Sequence, residues 1–490
     1  MRLACRQFAY LPTIMEALFS HIQFLASPQQ VALAGVMDFK NLATYVKGVK
    51  FQPDKYSWVM EQVTFEEMVM LGPLGWEARW KYAQAAGLKG ADINSMMQLH
   101  WRAHVNRNLD GKAPWSDDEL RDSYESYMAK AHARRDMYDN GDVQKGWAAA
   151  LKQLPSIGQY GIGKEAFDAL DKSDPSCYES RGTQEYWQKL GCDVHEHNCG
   201  ARVGCHTDRE CHNLEAPVGE ALSNAVLQSL VMAGSKPVKL IIEYTCTGEF
   251  AWADNGQLDN LDLSHLRSLY FCPNILGRSD LGGAGLLGAT YVEGRCEKAV
   301  MALIKRCQNN LRDLEIFPGD TNDWPLTWPV PPEDPIVDDS FQVIELPALE
   351  RFQTAVPLNL GSFARFLRLA KKMKRLELDS CTGGEDGEWR DLWRAIRYHP
   401  SRMQLNFDQV PCNDATELSM DHFTGDVSRE GNDPNDPWMN IHYELGMYLS
   451  NRGPWGRSCR MWFDGLGSDD EYTDSESEAE QGSDGDENED

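Results

Sequence analysis

The sequence has no apolar run long enough to cross a bilayer, and no signal-peptide core follows its basic first residues. Glu16, His21 and Gln23 interrupt the stretch where such a core would lie. Positive charge is also scarce: Lys and Arg number 48 against 75 acidic residues, a net charge of −27. That balance argues against a nucleic acid or an anionic membrane as partner, since both repel an acidic surface. Nothing reads H-E-x-x-H or C-x-x-C, and no nucleophile–base triad stands out. The thirteen cysteines are scattered, as expected of reduced thiols in the cytoplasm or nucleus.

What is present is a recurring phrase. Met373–Cys381, M-K-R-L-E-L-D-S-C, places Met373, Leu376 and Leu378 at the spacing L-x-x-L-x-L-x-x-N/C of a leucine-rich repeat. The phrase recurs at Phe19/Ile22/Phe24, Val46/Val49/Phe51, Ile157/Tyr160/Ile162, Leu240/Ile242, Leu266/Leu269/Phe271, Leu311/Leu314/Ile316, Leu349/Phe352/Thr354 and Leu405/Phe407. Helical spacing precedes several of these strands: Phe363, Phe366, Leu367 and Ala370 fall on one face. The expected fold is α/β, an irregular leucine-rich-repeat-like solenoid, or horseshoe, of helix–strand units over 26–463. Within it, Leu376 and Leu378 should be buried, with Lys374 and Arg375 toward solvent.

Two insertions are expected in the solenoid, at 52–145 and 164–215. Helix is predicted over Ser116–Asp139 in the first. A third irregular stretch, W-P-L-T-W-P-V-P-P-E-D-P at 324–335, is too proline-rich for helix or central strand. After Phe407 a polar loop leads to a capping helix with Trp438, Ile441, Leu445 and Tyr448 on one face, and 455–463 should pack against it. From Asp464 on the chain is acidic and serine-rich, with 13 acidic residues and no Lys or Arg, and is expected to be a disordered tail over 464–490. Ser468, Ser475, Ser477 and Ser483 sit where acid-directed kinases act.

The chemical candidate is C-D-V-H-E-H-N-C-G-A-R-V-G-C-H-T-D-R-E-C-H. Its Cys192, Cys199, Cys205 and Cys211, beside four histidines, are the donor types of structural zinc. The gaps match no zinc-finger spacing, so a polar insertion with unpaired thiols stands as the other reading. Gly158–Glu165, G-Q-Y-G-I-G-K-E, imitates a phosphate loop but carries Glu165 where Ser or Thr should hold magnesium. The basic cluster Arg365–Arg375 interleaves with the apolar face above and reads as the solvated side of a repeat helix.

R-L-A-C-R-Q-F at Arg2–Phe8, followed by A-L-F-S-H-I-Q-F, resembles the second half of an F-box and the strand after it in fungal F-box proteins. R-Y-H-P-S-R-M-Q-L-N-F-D-Q-V-P-C and the Trp-rich ending before the acidic tail resemble the C-terminal part of such proteins. The resemblance implies a non-catalytic substrate-recognition subunit of an SCF (cullin–RING) E3 ubiquitin ligase, docked on the adaptor subunit while its repeats hold a protein substrate. Residues 1–25 would be truncated F-box-like helices, a short remnant, with Leu3, Cys5 and Phe8 the adaptor contacts. The opening Leu-Pro pair and its apolar helix are missing from the motif, so adaptor binding is expected to be weak or lost. The alternative is a leucine-rich-repeat scaffold with no ligase linkage. No enzyme activity, nucleic acid or membrane is expected on either reading, and no cofactor beyond the structural zinc.

Overall fold

The computed structural model of the chain describes residues 12–53, 117–163, 207–246, 252, 256–275, 295–317, 344–356, 358–379, 388–413, 416–423 and 441–463. Its centre is a ten-stranded sheet in which the strands stand side by side in chain order. They are β1 (His21–Ala26), β2 (Gly48–Pro53), β3 (Gln159–Gly163), β4 (Lys239–Cys246), β5 (Ser268–Ile275), β6 (Asp313–Ile316), β7 (Arg351–Thr354), β8 (Arg375–Asp379), β9 (Gln404–Asn413) and β10 (Thr416–Phe423). β1 to β9 run parallel, and β10 turns back antiparallel on β9. A parallel sheet needs a crossover between neighbours, and helices supply most of them. They are α1 (Pro12–Phe19), α2 (Pro28–Val36), α3 (Asp117–Asp139), α4 (Asp142–Leu151), α5 (Thr207–Ala233), α6 (Arg295–Cys307), α7 (Leu360–Leu369), α8 (Glu388–Arg397), α9 (Ile441–Leu449) and α10 (Arg457–Phe463). The architecture is therefore α/β, with helix and strand alternating in a sheet that never reverses its order.

The register shows why the apolar phrase recurs. Ile22, Val49, Tyr160, Leu240, Leu269, Leu314, Phe352, Leu376 and Leu405 form one row across the nine strands. Two residues on, Phe24, Phe51, Ile162, Ile242, Phe271, Ile316, Thr354, Leu378 and Phe407 form a second. Alternation along a strand sends both rows to one face, where all but the partly buried Ile22 are buried. A slip of one residue anywhere would put a whole strand's apolar set on the wrong side.

Helices seal these rows. In α7, Asn359 caps the N-terminus by accepting from Ser362 N at 2.9 Å. Phe363 and Phe366 then lie 5.4 and 6.2 Å from the Phe352 ring. At the other end of the sheet, Trp147 of α4 lies 4.9 Å from Phe51. Leu376 and Leu378 are buried as expected and Lys374 is exposed, while Arg375 is only half-exposed.

β3, β5, β7 and β8 are each entered through a tight turn that extends the apolar phrase backward. The amide of Ile157 donates to Leu154 O, Leu266 to Leu263 O, Leu349 to Leu346 O and Met373 to Ala370 O, at 3.0–3.3 Å. Successive turns are tied by side chains. Gln153 accepts from Phe39 N and donates to Met37 O; Asn310 donates to Ser264 O at 2.6 Å; Ser401 donates to Lys371 O at 2.9 Å. A His399 ring nitrogen lies 3.0 Å from Ala370 O.

The structure moves several expected boundaries. Residues 21–25 are not F-box-like helix; they begin β1, because Ile22 and Phe24 belong to the sealed rows. The first insertion does not fill 52–145: β2 continues to Pro53, and α4 starts at Asp142 with Val143 and Trp147 in the core. The helix expected over Ser116–Asp139 is α3, Asp117–Asp139. The second insertion ends earlier than 215, since α5 starts at Thr207. Finally, the segment after Phe407 opens as a β9–β10 hairpin as far as Phe423, where a loop was expected; Leu418 and Met420, alternating with Ser419 and Asp421, carry the signal, and 424–440 lie outside the described residues. The capping helix is α9, with Ile441, Leu445 and Tyr448 buried, and Trp455 before α10 packs 4.9 Å from Tyr448. Trp438, 324–335 and 464–490 lie outside the described residues.

The glycines of the false phosphate loop have a packing role. Gly161 and Gly163 are in β3, and Gly163 has φ +120, where a Cβ would run into the Glu243 carbonyl oxygen of β4. The motif brings two strands together. Lys164 and Glu165 lie outside the described residues.

Candidate functional site

With one face of the sheet sealed by helices, the other carries the positions between the apolar rows. On it Gln23, Lys50, Gly161, Ile241, Tyr270, Glu315, Gln353, Glu377 and Asn406 stand in register across nine strands. Beside them run His21, Gln159, Lys239, Ser268, Asp313, Arg351, Arg375 and Gln404. The row from Gln23 to Asn406 is polar at both ends and apolar or aromatic only in the middle, at Ile241 and Tyr270; Lys50, Ile241 and Glu377 in it are buried. This open face is the candidate site.

It has three zones. Toward β1 it is amide-rich: Gln23 donates to Gln52 across the first two strands and stands in register with Lys50. In the middle, Ile241 and Tyr270 stand side by side, and Phe317 lies 5.5 Å from the Tyr270 ring. Burial, and then the neighbouring Cys272, Glu243 and Glu315, push the Tyr270 hydroxyl well above its ordinary pKa. It stays a neutral donor at physiological pH.

Toward β8 the zone is ionic and centred on Arg351. Its Nε donates to Glu377 at 2.8 Å, one terminal nitrogen to Glu315 at 2.7 Å, and the other to Gln353 at 2.6 Å. Arg375 makes a further ion pair with Glu377 at 2.7 Å. Burial works against the Arg351 charge, but the hydrogen bond to Glu377 and the fields of Glu315, Glu377 and Asp313 outweigh it, and its pKa is raised. One guanidinium thus ties three adjacent strands together. Arg351, Glu315 and Glu377 escape sequence reading because strand register alone brings residues 315, 351 and 377 together.

The residues singled out from the sequence lie elsewhere. Leu3, Cys5 and Phe8 are outside the described residues, as are Cys192, Cys199 and Cys205. Cys211 and His212 fall on the backbone of α5, so the Cys/His stretch does not end as a loop. Among the described residues no group of three His, Cys, Asp or Glu side chains is placed to hold a metal, and no helix is long and apolar enough to cross a membrane. Among the described residues, Cys272, Cys307 and Cys459 form no disulfide.

Chemically, the open face offers donors and acceptors of both signs around an aromatic centre, on a continuous hydrogen-bonded sheet. Such a surface suits recognition of another polypeptide by shape and hydrogen bonding. No protein-family model matches the chain, and neither a curated protein nor a solved structure matches it.

Proposed function

We propose that this chain is a non-catalytic protein-recognition solenoid, a leucine-rich-repeat-like horseshoe whose open sheet face holds a partner polypeptide. The observation that supports the reading is the sheet itself: nine parallel strands in chain order, sealed on one side and carrying mainly polar residues around Ile241 and Tyr270 on the other. In its specific form the chain is the substrate-recognition subunit of an SCF E3 ubiquitin ligase, working in the cytoplasm or nucleus. The resemblance at Arg2–Phe8 supports that form, with Leu3, Cys5 and Phe8 as adaptor contacts. A scaffold of the same architecture without ligase linkage is the second reading, and the mixed-charge open face favours it equally. Structural zinc at Cys192, Cys199, Cys205 and Cys211 would serve either.

Two measurements separate these readings. Tagged full-length chain is compared with a Gln23→Glu/Gln353→Arg variant by affinity purification and mass spectrometry. Partners that depend on the open face disappear from the variant; an unchanged set places recognition elsewhere. Adaptor titration onto the full chain and a Leu3→Asp/Phe8→Asp variant then tests the ligase form. Weak binding that the variant abolishes supports it. No binding, or equal binding by both, leaves the scaffold.

A further inference from the structure

Positive charge is scarce in this chain, yet part of it is gathered in one place. The turns that enter the strands line a single rim of the sheet, at the strands' N-terminal ends. Arg267, Arg312, Glu350 and Lys374 follow one another along it through backbone hydrogen bonds at 2.7–2.8 Å. Lys371 and Lys372 belong to the turn before β8, and Arg402 to the turn before β9. The Ser401–Lys371 bond holds those two turns together. Arg267, Arg312, Lys371, Lys372, Lys374 and Arg402 are all exposed.

The acidic residues on this rim do not neutralise it. Glu350 pairs with Lys374 at 2.6 Å and Arg312 at 3.8 Å. Glu345 is exposed in the turn before β7, Asp313 opens β6, and Asp262 faces Lys236 at 3.8 Å. Arg267, Lys371, Lys372 and Arg402 make no ion pair among the described residues. A band of positive charge on a chain of net charge −27 attracts the acidic part of that chain.

The largest acidic block is 464–490, and it starts near the band. Phe463 packs 5.5 Å from Trp393 of α8. That helix leads directly into His399 and the Ser401–Arg402 turn. α8 spans about 15 Å, while the 27 residues after Phe463 have a covalent reach of up to about 90 Å, well beyond that distance. We propose that the acidic stretch Asp464–Asp490 docks on the rim formed by Arg267, Arg312, Lys371, Lys372, Lys374 and Arg402 of its own chain. The rim is then closed to other polyanions while the stretch is in place.

The test uses the full chain. Carbodiimide cross-linking at low salt should couple Lys371, Lys372 or Lys374 to carboxylates of 464–490, and about 1 M salt, where screening acts within about 3 Å, should remove the links. Mixed light and heavy isotope copies should give links within one copy only. Links between copies overturn the proposal in favour of a dimer. In a second arm, the Asp and Glu residues of 464–490 are replaced by Asn and Gln, and heparin is the probe. The neutralised chain should bind heparin at least tenfold tighter than the unaltered one, and adding Lys371→Gln, Lys372→Gln and Arg402→Gln should cancel the gain. Equal heparin affinity with and without the acidic side chains, or no links to the rim, overturns the proposal.

Discussion

The two rims of the sheet differ more than its two ends do. At the N-terminal ends of the strands the chain makes short turns of fixed geometry, with Leu154, Leu263, Leu346 and Ala370 each accepting from the amide three residues on. At the C-terminal ends it departs on excursions of very different length: β2 ends at Pro53 and α3 begins at Asp117, β3 ends at Gly163 and α5 begins at Thr207. The sheet register is the same beneath both. Strand order and pairing are therefore set by the buried rows and the tight rim, and the length of chain between strands matters little. Loop closure explains the tolerance, since doubling a loop costs only about 0.6 kcal/mol.

The sharpest way to break this contrast is to lengthen each rim in turn. Six Gly/Ser residues inserted between Lys371 and Lys372 should displace the buried Met373 and Ala370 and cost about 2–5 kcal/mol in urea unfolding. The same six residues after Gly283, between β5 and α6, should cost under about 1 kcal/mol. Equal losses would mean that the two rims are equivalent after all.

The next effect concerns the sealed face. Phe51→Ala removes a ring with no exposure that touches both Phe24 and Trp147, and should cost about 3–5 kcal/mol. It sits just before the longest excursion. A loss far below that range, read from the denaturant midpoint, would show that the rows near the excursions pack less firmly than those near β8.

On the open face, Arg351→Leu leaves Glu315 and Glu377 without their shared partner and should cost about 1–3 kcal/mol. Gln353→Leu, which removes only a neutral acceptor, should cost less. If the two cost the same, the three-strand tie is worth no more than one hydrogen bond.

The smallest effect is on the tight rim. The hydrogen bond and charge of Lys374, with Arg312 behind them, hold the Glu350 carboxyl below the usual carboxylate range. A depressed folded-state pKa means that the unfolded chain takes up the proton first as pH falls. The contribution of Glu350 is present above the ordinary carboxylate pKa and is lost below it. Glu350→Gln should therefore narrow slightly the gap between urea midpoints at pH 7 and near pH 4, and at high salt the two proteins should converge.

Sequence reading found the buried rows because they obey a short-range rule. Val46, Val49 and Phe51, or Met373, Leu376 and Leu378, are close along the chain and share one environment. It also found α7 and α9 from their apolar faces. It missed what is held together across distance. Gln153 ties to Met37, Asn310 to Ser264 and Arg351 to Glu315 and Glu377 only because register brings residues from different units side by side. Polar residues at these spacings follow no local period. The start of α5 was hidden for another reason: cysteine and histidine, read for their metal chemistry, drew attention from the helical backbone that begins at Thr207.

One strand carries a further consequence. A stack of parallel helix–strand units has no intrinsic length, since each new unit presents the next with the edge it needs. β10 breaks that rule by running against β9. Another parallel unit, whether from this chain or from a neighbouring molecule, meets an edge of the opposite polarity, and the next described elements in the chain are helices, α9 and α10. The hairpin is a counting device: it fixes the number of units on this side and ends a growth that the repeat itself would let continue.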